Sequence, residues 1–234
     1  MAIRLKKGDA ILSAILNPSV EKYIRNILSN NTGVLYAMEE YARENHVPII
    51  HKEVAALVKV LTKTSGANKI LEVGTAIGYS SITFAIAMGK TGSVTTIERD
   101  ENMCRVATSY IEKLNMKERV KLIQGDANDV LRHLDEEYDL IFLDSAKGQY
   151  NEYLSDLLRL LKNGGILISD NVLYKGMVAD DKIVLKRKKT IVNSLRNYLT
   201  AITNHPELDT CIIPIGDGVA ISCKKQGGII SEQS

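Results

Sequence analysis

KILEVGTAIGYSSITFA, residues 69–85, decides the fold. Lys69–Val73 reads as a buried strand, Gly74 and Gly78 bracket a tight loop, and an apolar helix follows. Three further strand-like runs also end on acids: TTIERD at Glu98, LIFLDSAK at Asp144 and GILISDN at Asp170. With Glu72, four hydrophobic strands each bring a carboxylate to one edge of a sheet. In an open parallel sheet, ligands bind outside the carboxyl ends of the strands. That edge reads as a nucleoside-cofactor pocket with a metal-binding half beside it.

The runs KILEV, SVTTIE, VKLIQ, DLIFLD and GILISD alternate with helical stretches, which predicts parallel βαβ units. TCIIPI and VAISCK are joined instead by Gly216-Asp217-Gly218, a turn signal for an antiparallel hairpin. The helix before them carries Ile191, Leu195, Tyr198, Leu199 and Ile202 on one stripe. Upstream, Val20, Tyr23, Ile24, Ile27 and Leu28 have amphipathic helical spacing. A second helix is predicted from Thr32 to Asn45, ended by the break before Pro48, and a third carries Val54, Leu57, Val58 and Leu61. These three are expected to cap one end of the sheet. The expectation is one α/β domain: a helical cap over residues 1–66 and a Rossmann-like core over 67–226, with a seven-stranded, mostly parallel sheet. Residues 1–16 read as a weakly patterned extension.

The 234 residues suffice for one large core, and 45% hydrophobic with 25% charged residues is ordinary for a globular protein. A net charge of +2 gives no global nucleic-acid signature. No apolar run reaches the ~18 residues of a membrane span, and the N-terminus lacks a long apolar region and a cleavage site. A cytoplasmic protein is expected. Cys104, Cys211 and Cys223 are odd in number and form no CxxC pair, which fits free thiols. His46, His51, His133 and His205 show no zinc spacing.

The loop after the first strand does not read GxGxxG, because Ala76 and Tyr79 stand at the second and third glycine positions. Its pattern is Glu72-x-Gly74-x-Ala76-x-Gly78. A carboxylate before the first glycine would repel a pyrophosphate but can accept hydrogen bonds from an ammonium group. Glu98 can accept both ribose hydroxyls. Asp126 suits an exocyclic amine of adenine, and Ala127 offers its backbone amide. Ribose, adenine and amino acid add up to S-adenosylmethionine, with Gly74 and Ser80 also lining the site. The bland alternative is a generic strand-turn-helix with surface acids.

LEVGTAIGYSS, TIERD, GDA, FLDSAKGQY and ISDNVL, within residues 69–175, resemble the class I methyltransferases, and within them the cation-dependent O-methyltransferases of catechol and caffeoyl-CoA type. The resemblance implies two aspartates and an asparagine as ligands of magnesium or a similar divalent cation, falling on Asp144, Asp170 and Asn171. It implies Lys147 as general base. Two carboxylates and an amide are hard oxygen donors suited to such a cation. Lys147 also reads as a solvated lysine, and Asp170-Asn171 as a turn after a strand. Where some relatives place a methionine near the methyl donor, this chain has Ile50.

ENHVPI, FLDSAKGQY, DNVLYKGMV and IIPIGDGVAIS resemble more closely the branch of this family that methylates 5-hydroxyuridine at the wobble position of bacterial tRNA. A tRNA anticodon loop would need a phosphate-binding surface. Lys175, Lys182, Lys186, Arg187, Lys188 and Lys189, with Arg196 beyond, could supply it. The run also reads as an ordinary basic helix start, diluted by Asp180 and Asp181. With two Phe and no Trp, base stacking would fall to tyrosines such as Tyr174 or Tyr79. The rivals are a small-molecule catechol or acyl-CoA O-methyltransferase, a non-enzymatic cofactor-binding scaffold and, weakest, an NAD enzyme. The resemblance implies a homodimer, with the N-terminal helices or final hairpin as surfaces.

Overall fold

The computed structural model describes residues 15–226. The N-terminal extension up to residue 14 lies outside the described residues, as do residues 227–234. The strands are β1 Lys69–Val73, β2 Ser93–Glu98, β3 Val120–Gln124, β4 Tyr138–Leu143, β5 Leu161–Ser169, β6 Leu208–Ile213 and β7 Val219–Lys224. They form one sheet in the order β3-β2-β1-β4-β5-β7-β6. The first five are parallel, and β7 runs antiparallel to both β5 and β6. The expected α/β sheet with a terminal hairpin is therefore present, with β7 lying between β5 and β6. Strand order reverses between β1 and β4, so the loops after these strands diverge and leave a crevice.

The helices are α1 Pro18–Ile27, α2 Gly33–Glu44, α3 Lys52–Ser65, α4 Tyr79–Ala87, α5 Glu101–Lys113, α6 Ala127–His133, α7 Tyr150–Leu160 and α8 Lys189–Thr203. Side chains alternate across the sheet with period two. Ile70, Leu140, Phe142, Ile168 and Val219 pack with Met38, Val54, Val58, Ile82 and Phe84. Leu71, Val73, Ile141, Leu143 and Leu167 pack with Leu131, Tyr150, Leu157, Leu195 and Tyr198. The molecule is thus a helix–sheet–helix sandwich.

The expected cap is only partly realised. α3 buries Val54, Ala55 and Val58 in the core shared with β4 and α4, so it is a layer of the sandwich. α1 has no buried residue, and Val20, Tyr23 and Ile27 stay 47%, 64% and 63% exposed. Polar contacts hold α1 instead. Lys52 Nζ donates to the carbonyls of Arg25 (2.8 Å) and Leu28 (2.6 Å), and Arg25 donates to both oxygens of Glu53 (2.7 and 2.8 Å). The apolar spacing of α1 was real, but its stripe meets no partner within the described chain.

Smaller differences have simple causes. β5 begins ahead of Gly165 because Leu161 already pairs with Tyr138 before a register shift. The buried stripe of α8 includes Val192, while Ile191 is only half-buried. Cys104 is buried, Cys211 and Cys223 are exposed, and all three are free thiols. Among the described residues no helix is long and apolar enough to cross a membrane.

Candidate active site

A cavity of about 400 Å³ opens at the carboxyl edge of the sheet. Its wall includes Ile50, Gly74, Ser80, Glu98, Asp126, Ala127, Asp144, Lys147, Asp170 and Asn171. Residues predicted from loops up to 121 positions apart (50 to 171) therefore meet in one place. Glu72 is the exception: it is fully buried behind the wall. Its Oε2 accepts from the hydroxyls of Ser81 and Thr96, while Oε1 has no hydrogen-bond partner. Burial pushes its carboxyl up to about 7, against the pull of the surrounding hydroxyls. Glu72, expected to accept from an ammonium group directly or through water, therefore stands behind the wall and not on it.

The cofactor half is held by backbone. Gly74 has φ 106°, and a Cβ there would lie 2.1 Å from the Asp144 carbonyl oxygen, so only glycine lets the β1 and β4 ends approach. Glu98 Oε2 accepts from the Ala76 amide (2.9 Å), and Oε1 accepts from the amides of Arg99 and Asp100 (both 2.9 Å). A carboxylate offers about four acceptor sites, so these three bonds fix Glu98 and leave about one site for a ribose hydroxyl. Asp126 caps α6, its Oδ1 accepting from the Asn128 amide at 3.0 Å. Ser145 adds a buried hydroxyl with no partner among the described residues. These groups fit a nucleoside with a charged amino-acid tail.

The other half gathers around two strand ends. The Asp144 amide donates to the Val73 carbonyl (2.9 Å), and the Asp170 amide to the Leu143 carbonyl (3.0 Å). This stagger sets the two aspartates side by side. Asp170 is 2% exposed, and burial, with the Asp144 charge second, pushes its carboxyl up to about 8. Two carboxylates so close repel each other, and the Lys147 ammonium offsets that repulsion only in part. Lys147 Nζ meets Asp144 Oδ1 at 2.6 Å, and the Asn171 amide donates to Asp170 Oδ1 at 2.7 Å. Asp144, Asp170 and the Asn171 side-chain carbonyl are hard oxygen donors, and the donor set fits a divalent cation.

Several contributors escaped sequence reasoning. Tyr150 is fully buried, and its hydroxyl donates between the carbonyls of Leu143 (3.2 Å) and Asp170 (3.1 Å). Pro48, His51, Arg99, Gln149 and Tyr153 also line the cavity. Pro48, Arg99 and Gln149 fall inside the quoted motifs ENHVPI, TIERD and FLDSAKGQY, whereas His51 and Tyr153 carry only their nearness to such motifs as a signal. Tyr79 lines the wall but is 2% exposed and donates to Glu39 Oε1 at 2.7 Å, so it cannot present a face to a base. The group Glu21, His51 and Glu53 converges as metal ligands would, yet Arg25 bonds both carboxylates. Burial raises the Glu53 carboxyl, but the Arg25 bonds outweigh it and the net shift is downward.

The basic residues lie outside the cavity wall. Lys175, Lys182, Lys186, Arg187 and Lys189 are exposed. Lys186–Lys188 form a 3-10 turn, and Lys188 Nζ lies 5.6 Å from the centre of the half-buried Tyr174 ring. Arg196 is engaged internally, with the Val178 carbonyl (2.9 Å) and with Asp181 (2.7 Å).

With this geometry in view, comparison with known proteins is decisive: the family described as O-methyltransferase matches residues 29–225. The chain belongs to that family. This O-methyltransferase is 31% identical over 178 residues to a caffeoyl-CoA O-methyltransferase of Populus kitakamiensis, covering 72% of this chain and 74% of that protein. It is 30% identical over 218 residues to a catechol O-methyltransferase of Niastella koreensis, covering 88% and 97%. A Staphylococcus aureus structure, described as that of a candidate caffeoyl-CoA O-methyltransferase, superposes with a TM-score of 0.82 at 35% identity, covering 88% of this chain and 99% of that one. The Bacillus cereus O-methyltransferase in complex with SAH gives 0.78 at 27%, covering 88% and 97%. This O-methyltransferase uses S-adenosylmethionine as methyl donor, as the cofactor half of the cavity suggested.

Proposed function

We propose that this enzyme methylates a hydroxyl flanked by a second oxygen, and that its acceptor is 5-hydroxyuridine at the tRNA wobble position. Asp144, Asp170 and Asn171 would hold magnesium or a similar divalent cation. When bound, such a cation would chelate vicinal oxygens and lower the pKa of a hydroxyl among them. Lys147, on the wall beside Asp144, takes the hydroxyl proton. Glu98, Asp126 and the Gly74 loop orient the methyl donor, and most of the rate would come from positioning. In 5-hydroxyuridine the C5 hydroxyl neighbours the C4 carbonyl, the same five-membered chelate that a catechol makes.

The observation that supports an RNA acceptor is the placement of the basic run. The loop that opens with Asn171 continues through Tyr174 and Lys175, and Lys188 folds back onto Tyr174. Exposed cations therefore lie next to the proposed acceptor end, where phosphates flanking a nucleoside would fall. A homodimer would add a second such surface. The names of the curated relatives favour a second reading, methylation of a small catechol or acyl-CoA.

Tritium transfer from labelled S-adenosylmethionine, with magnesium, to tRNA carrying 5-hydroxyuridine and to a catechol panel separates them. Label in tRNA, lost with EDTA and reduced by Lys186→Ala/Arg187→Ala, supports the proposal. Label confined to catechols moves the acceptor to small molecules. Full activity in excess chelator would sink the cation.

A further inference from the structure

Asn171 opens a loop that runs against ordinary backbone preference. Asn171, Tyr174, Lys175 and Gly176 all have positive φ, at 56, 46, 57 and 78°. Side chains disfavour this left-handed region, so three non-glycine residues persist there only because something holds them. What holds them is the turn between β6 and β7. The Val172 amide donates to the Gly218 carbonyl (2.9 Å) and the Leu173 amide to the Asp217 carbonyl (3.1 Å). The Lys175 amide donates to the side chain of Asp217, at Oδ1. The packing is tight: a Cβ on Gly218 would lie 2.4 Å from Leu173 Cγ.

Two of these three bonds end on backbone and survive any side-chain change. The third depends on the Asp217 carboxylate alone, and it holds Lys175, in the middle of the left-handed run Tyr174–Gly176. Asp217 does not line the cavity. We propose that Asp217 is a positioning residue, whose side-chain oxygen holds the 171–176 loop in the shape that lets Asn171 ligate a divalent cation. The proposal rests on the cation reading of Asp144, Asp170 and Asn171. It requires an acceptor oxygen at that point rather than a negative charge.

The test is Mn2+ binding to the full chain, followed by loss of the free-ion electron paramagnetic resonance signal, with S-adenosylmethionine binding measured by calorimetry. Asp217→Ala should weaken Mn2+ roughly 10- to 100-fold, as loss of a ligand's supporting bond does, and leave the methyl donor's affinity unchanged. Asp217→Asn keeps an oxygen for the Lys175 amide and should bind Mn2+ like the wild type. Equal Mn2+ affinity in Asp217→Ala overturns the proposal. So does an Asp217→Asn as weak as Asp217→Ala, which would assign the effect to charge. If Asp217→Ala loses the methyl donor too, Asp217→Glu decides, since it keeps the charge and moves the acceptor: weakened Mn2+ with intact donor binding supports positioning, and wild-type Mn2+ affinity overturns it. A wild type that binds no Mn2+ overturns the cation reading and this one with it, whereas a wild type that binds it leaves only the Asp217 arms to decide.

Discussion

Lys147 Nζ lies 2.6 Å from Asp144 Oδ1, with the two side chains 22% and 21% exposed. The residue assigned as base therefore leans on a carboxylate assigned to the cation. Lys147→Ala should lower the methyl-transfer rate about 10²- to 10⁴-fold and leave donor binding intact. Lys147→Arg keeps the contact with Asp144 but cannot release a proton at working pH. It should restore the unfolding midpoint and not the rate. Single-turnover transfer and calorimetry, run on both variants, check this.

Glu72 predicts a pH dependence of stability. Its carboxyl is raised to about 7 by burial, from 4.5 in the unfolded chain. The folded state thus binds more protons between these values. The stabilisation is complete below about 4.5 and is lost as pH rises through about 7. The full effect is on the order of 3 kcal/mol. Urea unfolding of wild type and Glu72→Gln at pH 5 and pH 8 should show the variant gaining relative stability at pH 8. A pH-independent difference would refute the assignment.

Gly74 and Gly66 make a matched pair. Both have positive φ, but a Cβ at Gly66 meets nothing within 4 Å, while one at Gly74 collides with backbone. Gly66→Ala should cost about 1 kcal/mol, the left-handed penalty alone. Gly74→Ala should cost several-fold more and weaken donor binding, since the β1 and β4 ends must part. Denaturant midpoints compare them directly.

Tyr150→Phe removes one hydroxyl from a fully buried site. The Leu143 carbonyl keeps the Asp170 amide, but the Asp170 carbonyl loses its hydroxyl partner. The expected cost is about 1–3 kcal/mol, read as a lower thermal midpoint with unchanged secondary structure. An unshifted midpoint would show that the hydroxyl bridge is dispensable.

The strand ends and glycine loop were legible because each depends on its own neighbours in sequence. β1, β2, β3 and β7 match their predicted runs end to end, and Asp144, Asp170, Asn171 and Lys147 reach one cavity. What could not be read depends on tertiary partners. Periodicity marks an apolar stripe on α1 but cannot say that nothing among the described residues covers it. Burial behind Ser80 and Ser81, not residue type, takes Glu72 off the wall. Asp217 reads as a turn residue, and only the fold shows its oxygen on the Lys175 amide.

The place of β7 sets an order of assembly during synthesis. It is the last strand among the described residues, yet it lies between β5 and β6. A ribosome that has released only up to Ile213 has made β6 with no neighbour to pair, and has left the edge of β5 bare. The turn that clamps the Asn171 loop also arrives in this last stretch. The site therefore matures only after Val219–Lys224 has emerged, and a chain truncated before Val219 would keep the donor loop while lacking a finished catalytic end.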